Sequence, residues 1–143
     1  MYLTAVIDWF SRYVISWALS DTLEIDFVLE VSREALKKGT PQIMNSDQGA
    51  HYTSPKYTDI FTDAGVAISM DHKGRCFDNI FVERLWRSVK YELIYINGFS
   101  SPRELRIALG DYFEFYNNRR YHQSLAYRTP AQVYFGPEQW KGR

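Results

Sequence analysis

Cysteine is nearly missing: Cys76 is the only one among 143 residues. One thiol forms neither an intrachain disulfide nor a multi-cysteine zinc centre, so the fold must be held by its core. Long apolar runs are missing as well; none approaches the roughly 20 residues of a membrane-spanning helix. The opening Met1-Tyr2-Leu3-Thr4-Ala5-Val6-Ile7-Asp8 lacks the basic, apolar and small-residue sections of a secretory signal. Net charge is zero, which removes the simplest argument for a polyanion partner. These absences lead to the expectation of a soluble, cytoplasmic protein with no membrane partner.

What is present is a core-forming composition. Hydrophobic residues make up 45% and aromatics 17% of the chain, well above what a disordered segment carries. The length is that of one domain. Charge is balanced overall but not along the chain. Residues 1–72 hold 5 Lys/Arg against 10 Asp/Glu, and residues 73–143 hold 12 against 7. Such a split suits a protein that turns one basic surface towards a polyanion, although ordinary proteins show it too.

Alternation and β-formers over Tyr2–Asp8 predict a strand, Trp9-Phe10-Ser11-Arg12 a turn, and Tyr13–Leu19 a second strand. Phe27, Val28, Val31 and Ala35 recur at helical spacing within Ile25–Lys38, and Gly39 with Pro41 stops that helix. Gln42–Asn45 reads as a short buried strand entering a polar turn. Ser54-Pro55 places an N-cap and a first-turn proline ahead of a helix that Gly65 ends. Val66–Met70 reads as a strand, and Asp71–Asp78 as a polar loop. A long helix is expected over Asn79–Ile96. Ser101-Pro102-Arg103-Glu104 is a capping box that opens another helix, packed through Leu105, Ala108, Leu109, Tyr112 and Tyr116. Thr129-Pro130 starts a last, short helix. Alternating helices and strands indicate an α/β domain.

Two acids stand out by position. Asp47 follows a predicted buried strand, and in α/β folds ligands gather at the carboxyl ends of strands. Taken alone, it equally makes a turn with Gly49. Glu83 lies on the long helix, whose Val82, Leu85, Trp86, Val89 and Leu93 form a core-facing stripe. Glu83, Arg87 and Lys90 follow at i, i+4 and i+7 on a neighbouring stripe. Taken alone, that is a solvated Glu–Arg pair. Thirty-five residues separate Asp47 from Glu83.

With that spacing the motifs become specific. Asn45-Ser46-Asp47-Gln48-Gly49-Ala50-His51-Tyr52-Thr53-Ser54 resembles the second-aspartate motif of retroviral-type integrase cores. Phe77-Asp78-Asn79-Ile80-Phe81-Val82-Glu83-Arg84-Leu85-Trp86-Arg87-Ser88-Val89-Lys90 resembles the third-acid helix of bacterial insertion-sequence transposases. Tyr116-Asn117-Asn118-Arg119-Arg120-Tyr121-His122-Gln123-Ser124-Leu125 and Thr129-Pro130-Ala131 are similar to the end of those enzymes. Tyr2–Asp8 with Phe10-Ser11-Arg12 is similar to their second core strand and its turn. The resemblance covers residues 2 to 135.

It implies an RNase H-like fold, a mixed sheet flanked by helices. Residues 1–97 would form the catalytic core, and residues 98–143 a helix and basic tail packed on it. The implied activity is metal-dependent DNA cleavage and strand transfer in transposition and integration. The implied cofactor is Mg2+ or Mn2+, as two ions in the complete enzyme. Asp47 and Glu83 would be catalytic metal ligands, with Arg87, Lys90, Arg119 and Arg120 on DNA phosphates. The implied partners are transposon-end and target DNA and further copies of the same protein. The family's first catalytic Asp lies on a central strand expected ahead of Met1, so the expectation is an incomplete sheet and a chain inactive by itself. Asp8 matches the hairpin of the second strand and is read as a turn residue. The alternative reading is a catalytically dead transposase remnant that binds only DNA or a full-length partner. Arg119, Arg120 and His122 fit phosphate contacts and structural roles equally well. Lys73 and Arg75 read as solvated loop charges.

Overall fold

The computed structural model describes residues 1–46, 50–70 and 80–139. The expected loop at Asp71–Asp78, with Lys73 and Arg75, lies outside the described residues.

Two strands open the chain, β1 (Tyr2–Ile7) and β2 (Val14–Ser20), paired as a hairpin. The turn between them is set by Asp8. Its carboxylate accepts from the Ser11 amide at 2.9 Å and the Ser11 hydroxyl at 2.6 Å. The Asp8 amide in turn donates to the Tyr13 carbonyl at 2.9 Å. This is the turn role expected for Asp8 from its sequence position.

Helix α1 (Ile25–Lys38) has the expected bounds and buries Val28, Leu29, Val31, Ser32 and Ala35. Strand β3 (Ile43–Ser46) pairs in parallel with β4 (Ala67–Met70), in a register that sets Asn45 beside Ser69. Between them come a short α2 (Ala50–Thr53) and α3 (Pro55–Asp63). The Ser54 hydroxyl caps α3 by accepting from the Lys56 amide, and Gly65 follows at φ 79°, the left-handed region that glycine enters without penalty. Among the described residues the β1–β2 and β3–β4 ladders share no strand.

After residue 79 the chain is helical. Helix α4 (Ile80–Val89) runs into a π turn (Lys90–Ile94), followed by α5 (Pro102–Asn118), a 3-10 turn (Gln123–Leu125) and α6 (Pro130–Gln139). Ser101 caps α5 by accepting from the Glu104 amide. The Glu104 carboxylate returns to Ser100 rather than to Ser101, so the box is one residue wider than expected. Thr129 and Gln132 exchange hydrogen bonds, amide to side chain in both directions, and so start α6.

The chain forms two compact units that interleave along the sequence. One comprises Met1–Val6 and Ile15–Val82, the other Ile7–Val14 and Glu83–Arg143. In the first, Val28, Leu29, Tyr57, Phe61 and Val66 form the core, with Met44 and Ile68 of the parallel ladder packed against it. In the second, Leu85, Val89, Leu109, Tyr112, Phe113 and Tyr116 are buried. Asn117 ties that unit to its own hairpin tip. Its side-chain amide accepts from the Val14 amide at 2.8 Å and donates to the Val14 carbonyl at 3.0 Å.

Candidate active site

Asp47 lies outside the described residues, so its place is known only through the strand that leads to it. Strand β3 ends at Ser46, which is buried. The Asn45 side-chain oxygen and the Ser46 hydroxyl are buried without a hydrogen-bond partner among the described residues. Buried polar atoms are ordinarily paired, so this strand end carries oxygen atoms suited to a bound water or ion shell.

Glu83 lies in the first turn of α4. Helical phase turns Leu85 and Val89 inward, to 1% and 3% exposure, and leaves Glu83, Arg84, Arg87 and Lys90 at the surface. The Glu83 carboxylate has no hydrogen bond or ion pair among the described residues, so the Glu83–Arg87 pair allowed by the spacing is not made. The Arg87 guanidinium lies instead over the Tyr91 ring, 5.6 Å from its centroid. Glu83 is a hard oxygen donor left open, the chemistry that magnesium and manganese prefer. No group of three metal-binding side chains occurs among the described residues.

The expected continuous helix over Asn79–Ile96 is broken by the π turn. The Tyr95 amide reaches the Lys90 carbonyl at 2.8 Å, a bond five residues back rather than four. The extra residue rotates the facing of the side chains in and beyond the turn, and here Glu92 meets α5. Arg120 donates to Glu92 through Nε at 3.0 and 3.2 Å and through Nη2 at 2.7 Å. The Tyr112 hydroxyl donates to the same carboxylate at 3.0 Å. Burial pushes the Glu92 carboxyl up, but these hydrogen bonds outweigh it and hold it below the usual carboxylate range. The Arg120 guanidinium also stands over Tyr116, 5.8 Å from the ring centroid, while His122 meets that ring edge-on at 5.0 Å. Burial, then the charges of Arg120 and Arg12, bring His122 down to about 4, so it is neutral at pH 7. Burial raises the Tyr116 phenol to about 12.

The candidate DNA contacts therefore differ in their surroundings. Arg87 and Lys90 are exposed, and Arg119 makes only a loose 3.6 Å surface pair with Glu114. Arg120 is held in a bidentate fork. Sequence pattern gives Tyr112 only as a packing residue of α5 and Asn117 only as part of the closing motif, and it does not mark Glu92. Their partners are 20, 28 and 103 residues away, beyond the reach of any local pattern.

Residues 1–76 match the integrase core domain model, and residues 64–130 match a second integrase core domain model. The chain belongs to the integrase core domain family. Among curated relatives, the transposase for insertion sequence element IS904 of Lactococcus lactis subsp. lactis (strain IL1403) is 34% identical over 134 residues, 91% of this chain and 53% of that protein. The chain spans about half the length of the curated relatives it matches. Among solved structures, the catalytic core domain of BIV integrase superposes with TM-score 0.75 at 18% identity, over 95% of this chain and 86% of that one. The HTLV-2 integrase catalytic core domain, solved in complex with magnesium as a dimeric form, gives 0.70 at 19% identity over 91% and 81%. The fold is that of integrase catalytic cores, RNase H-like. No described helix is long and apolar enough to cross a membrane.

Proposed function

We propose that this chain is part of the strand-transfer core of a transposase, acting on DNA during transposition and integration. The observation that carries the reading is Glu83, an exposed carboxylate in the first turn of α4 without a partner among the described residues, separated from Asp47 by thirty-five residues in a chain of the integrase core family. Residues 1–97 serve as the catalytic core, and residues 98–143 add a helix and a basic tail. Asp47 and Glu83 are the metal ligands, and oxygen donors of this kind suit two Mg2+ or Mn2+ ions. When bound, such a pair stabilises the attacking and leaving oxygens of an in-line phosphoryl displacement. Arg87 and Lys90, and with them Arg119 and Arg120, meet DNA phosphates and so provide affinity rather than sequence reading. The working form is a homo-oligomer on DNA in the cytoplasm. The HTLV-2 core, solved as a dimer with magnesium, supports both the assembly and the ion.

Titration with Mn2+, followed by loss of the free-ion electron paramagnetic resonance signal, tests the ligand assignment without requiring turnover. Uptake should fall at least tenfold in Asp47→Asn and in Glu83→Gln and stay unchanged in Asp8→Asn. Equal uptake by all four proteins would overturn the assignment.

A further inference from the structure

Two of the cations read as DNA contacts lie over tyrosine rings. Arg87 stands over Tyr91, 5.6 Å from the centroid, and Arg120 over Tyr116, 5.8 Å away. Their donors are placed differently. Arg120 has Nε and Nη2 on the Glu92 carboxylate, and its Nη1 lies 3.4 Å from His122 Nε2. Arg87 forms no hydrogen bond or ion pair among the described residues. A π face attracts a cation through its quadrupole rather than through a lone pair, so the ring under Arg87 fills no acceptor role. The guanidinium therefore keeps the planar fork of N–H donors that matches phosphate oxygens.

The ring under Arg87 is itself backed. Tyr95 meets Tyr91 with centroids 5.2 Å apart and ring planes at 85°, an edge-to-face pair. Arg87, Tyr91 and Tyr95 follow one another at intervals of four, the spacing of neighbours on one helix face. Along an α-helix, residues four apart drift by about 40° around the axis. The π turn at Lys90–Ile94 holds one more residue than an α turn and takes that drift back. Glu83 heads the same stripe, about 6 Å along the axis from Arg87.

Both rings are mostly in water, Tyr91 at 61% and Tyr95 at 65% exposure. Rings left so exposed gain little from burial, so core packing does not account for the pair. What the pair does is restrict Arg87. A long arginine side chain loses rotamer freedom when it meets a phosphate, and restricting it beforehand lowers that cost.

We propose that Tyr91, backed by Tyr95, is a positioning residue that presents the Arg87 guanidinium to a phosphate of the DNA on which the protein acts. The proposal rests on the DNA-processing reading above and adds two residues which that reading does not contain.

The test uses the full chain and a mixed-sequence DNA duplex, with affinity read by fluorescence anisotropy. Arg87→Ala should weaken binding several-fold. Tyr91→Ala should weaken it about two- to fivefold, the scale of an exposed cation–aromatic contact, with thermal melting unchanged. Placed on top of Arg87→Ala, Tyr91→Ala should cost nothing further, and Tyr91→Phe, which keeps the ring, should bind like the parent. In the DNA-free protein, the nuclear magnetic resonance order parameter of Arg87 Nε–H should fall in Tyr91→Ala and hold in Tyr91→Phe. If Arg87→Ala weakens binding while Tyr91→Ala does not, the positioning role is overturned and the DNA reading stands. Equal losses from Tyr91→Ala in both backgrounds, or an unchanged order parameter, would also overturn it. Failure of the parent chain to bind the duplex would overturn the DNA reading itself.

Discussion

The two units of this chain are held together by different means. The unit of Met1–Val6 and Ile15–Val82 is acidic, with 6 Lys/Arg against 10 Asp/Glu, and closes over aromatic and branched apolar side chains. Tyr57 and Phe61 meet there at 5.1 Å, and the core takes no ion pair among the described residues. In the acidic unit the Ser16 hydroxyl donates to the Val31 carbonyl at 2.8 Å and the Lys38 ammonium to the Ile15 carbonyl at 2.6 Å, single bonds between separate segments. The basic unit also buries apolar residues, and there one side chain gathers several such bonds at once. Asn117 bonds both backbone groups of Val14, and Arg120 and Tyr112 converge on Glu92. Apolar packing is forgiving of exact shape, whereas a polar tie fixes one geometry and is costly to leave half made. The difference suggests that the basic unit, which carries Glu83 and its cations, is the one whose geometry must be specified closely.

Substitutions in each unit put this contrast at risk. The largest effect belongs to the acidic unit: Phe61→Ala, at 1% exposure, should lower stability by about 3–5 kcal/mol, as large aromatic truncations do, measured by denaturant unfolding. A loss below about 1 kcal/mol would mean that this core is not the unit's main support. In the basic unit, Asn117→Leu keeps volume but strands both Val14 backbone groups. It should cost about 1–3 kcal/mol and speed amide exchange in α5 while leaving α1 unchanged. Equal exchange changes in both helices would erase the distinction.

Acid should act first on the basic unit. A His122 held at about 4, against 6.5 in the unfolded chain, makes the unfolded state bind more protons between those values. Stability should therefore fall as pH drops from about 6.5 towards 4, and that His122 contribution should level off below. Glu92, held below its ordinary value, adds stability that is present above the unfolded carboxylate pKa and is lost in stronger acid. His122→Gln should flatten the upper part of the stability profile, and an unchanged slope would remove His122 from the account. The smallest effect is electrostatic. Arg87→Ala or Lys90→Ala should each reduce the salt slope of duplex binding by about 0.9 if each meets one phosphate, without changing stability. An unchanged slope would take that residue off the DNA.

The contrast also separates what is legible in the sequence from what is not. Helix α1, the Ser54 cap and the Thr129 start follow from local periodicity and capping chemistry, and each stands where those rules put it. The family and its fold are legible from motif spacing, because the segments around Asp47, Glu83 and Tyr116–Leu125 are specific in combination. The π turn is not legible, since one inserted residue leaves no mark on propensity or hydrophobic phase. Its consequence, Glu92 meeting Arg120, depends on a partner 28 residues on. Arg120 illustrates the same limit: in sequence it reads like Arg119, and only the fold shows one in a half-buried fork and the other at the surface.

The central claim, that Asp47 and Glu83 bind the same ions, is tested most directly by letting Fe2+ occupy the site in place of Mg2+. Ascorbate and peroxide then generate radicals that cut the polypeptide where the metal sits. The account predicts two sets of cuts, one around Ser46–Gln48 and one around Val82–Arg84, both suppressed by excess Mg2+ and both lost in Glu83→Gln. Cuts at neither segment, or cuts at one that survive Glu83→Gln, would contradict it.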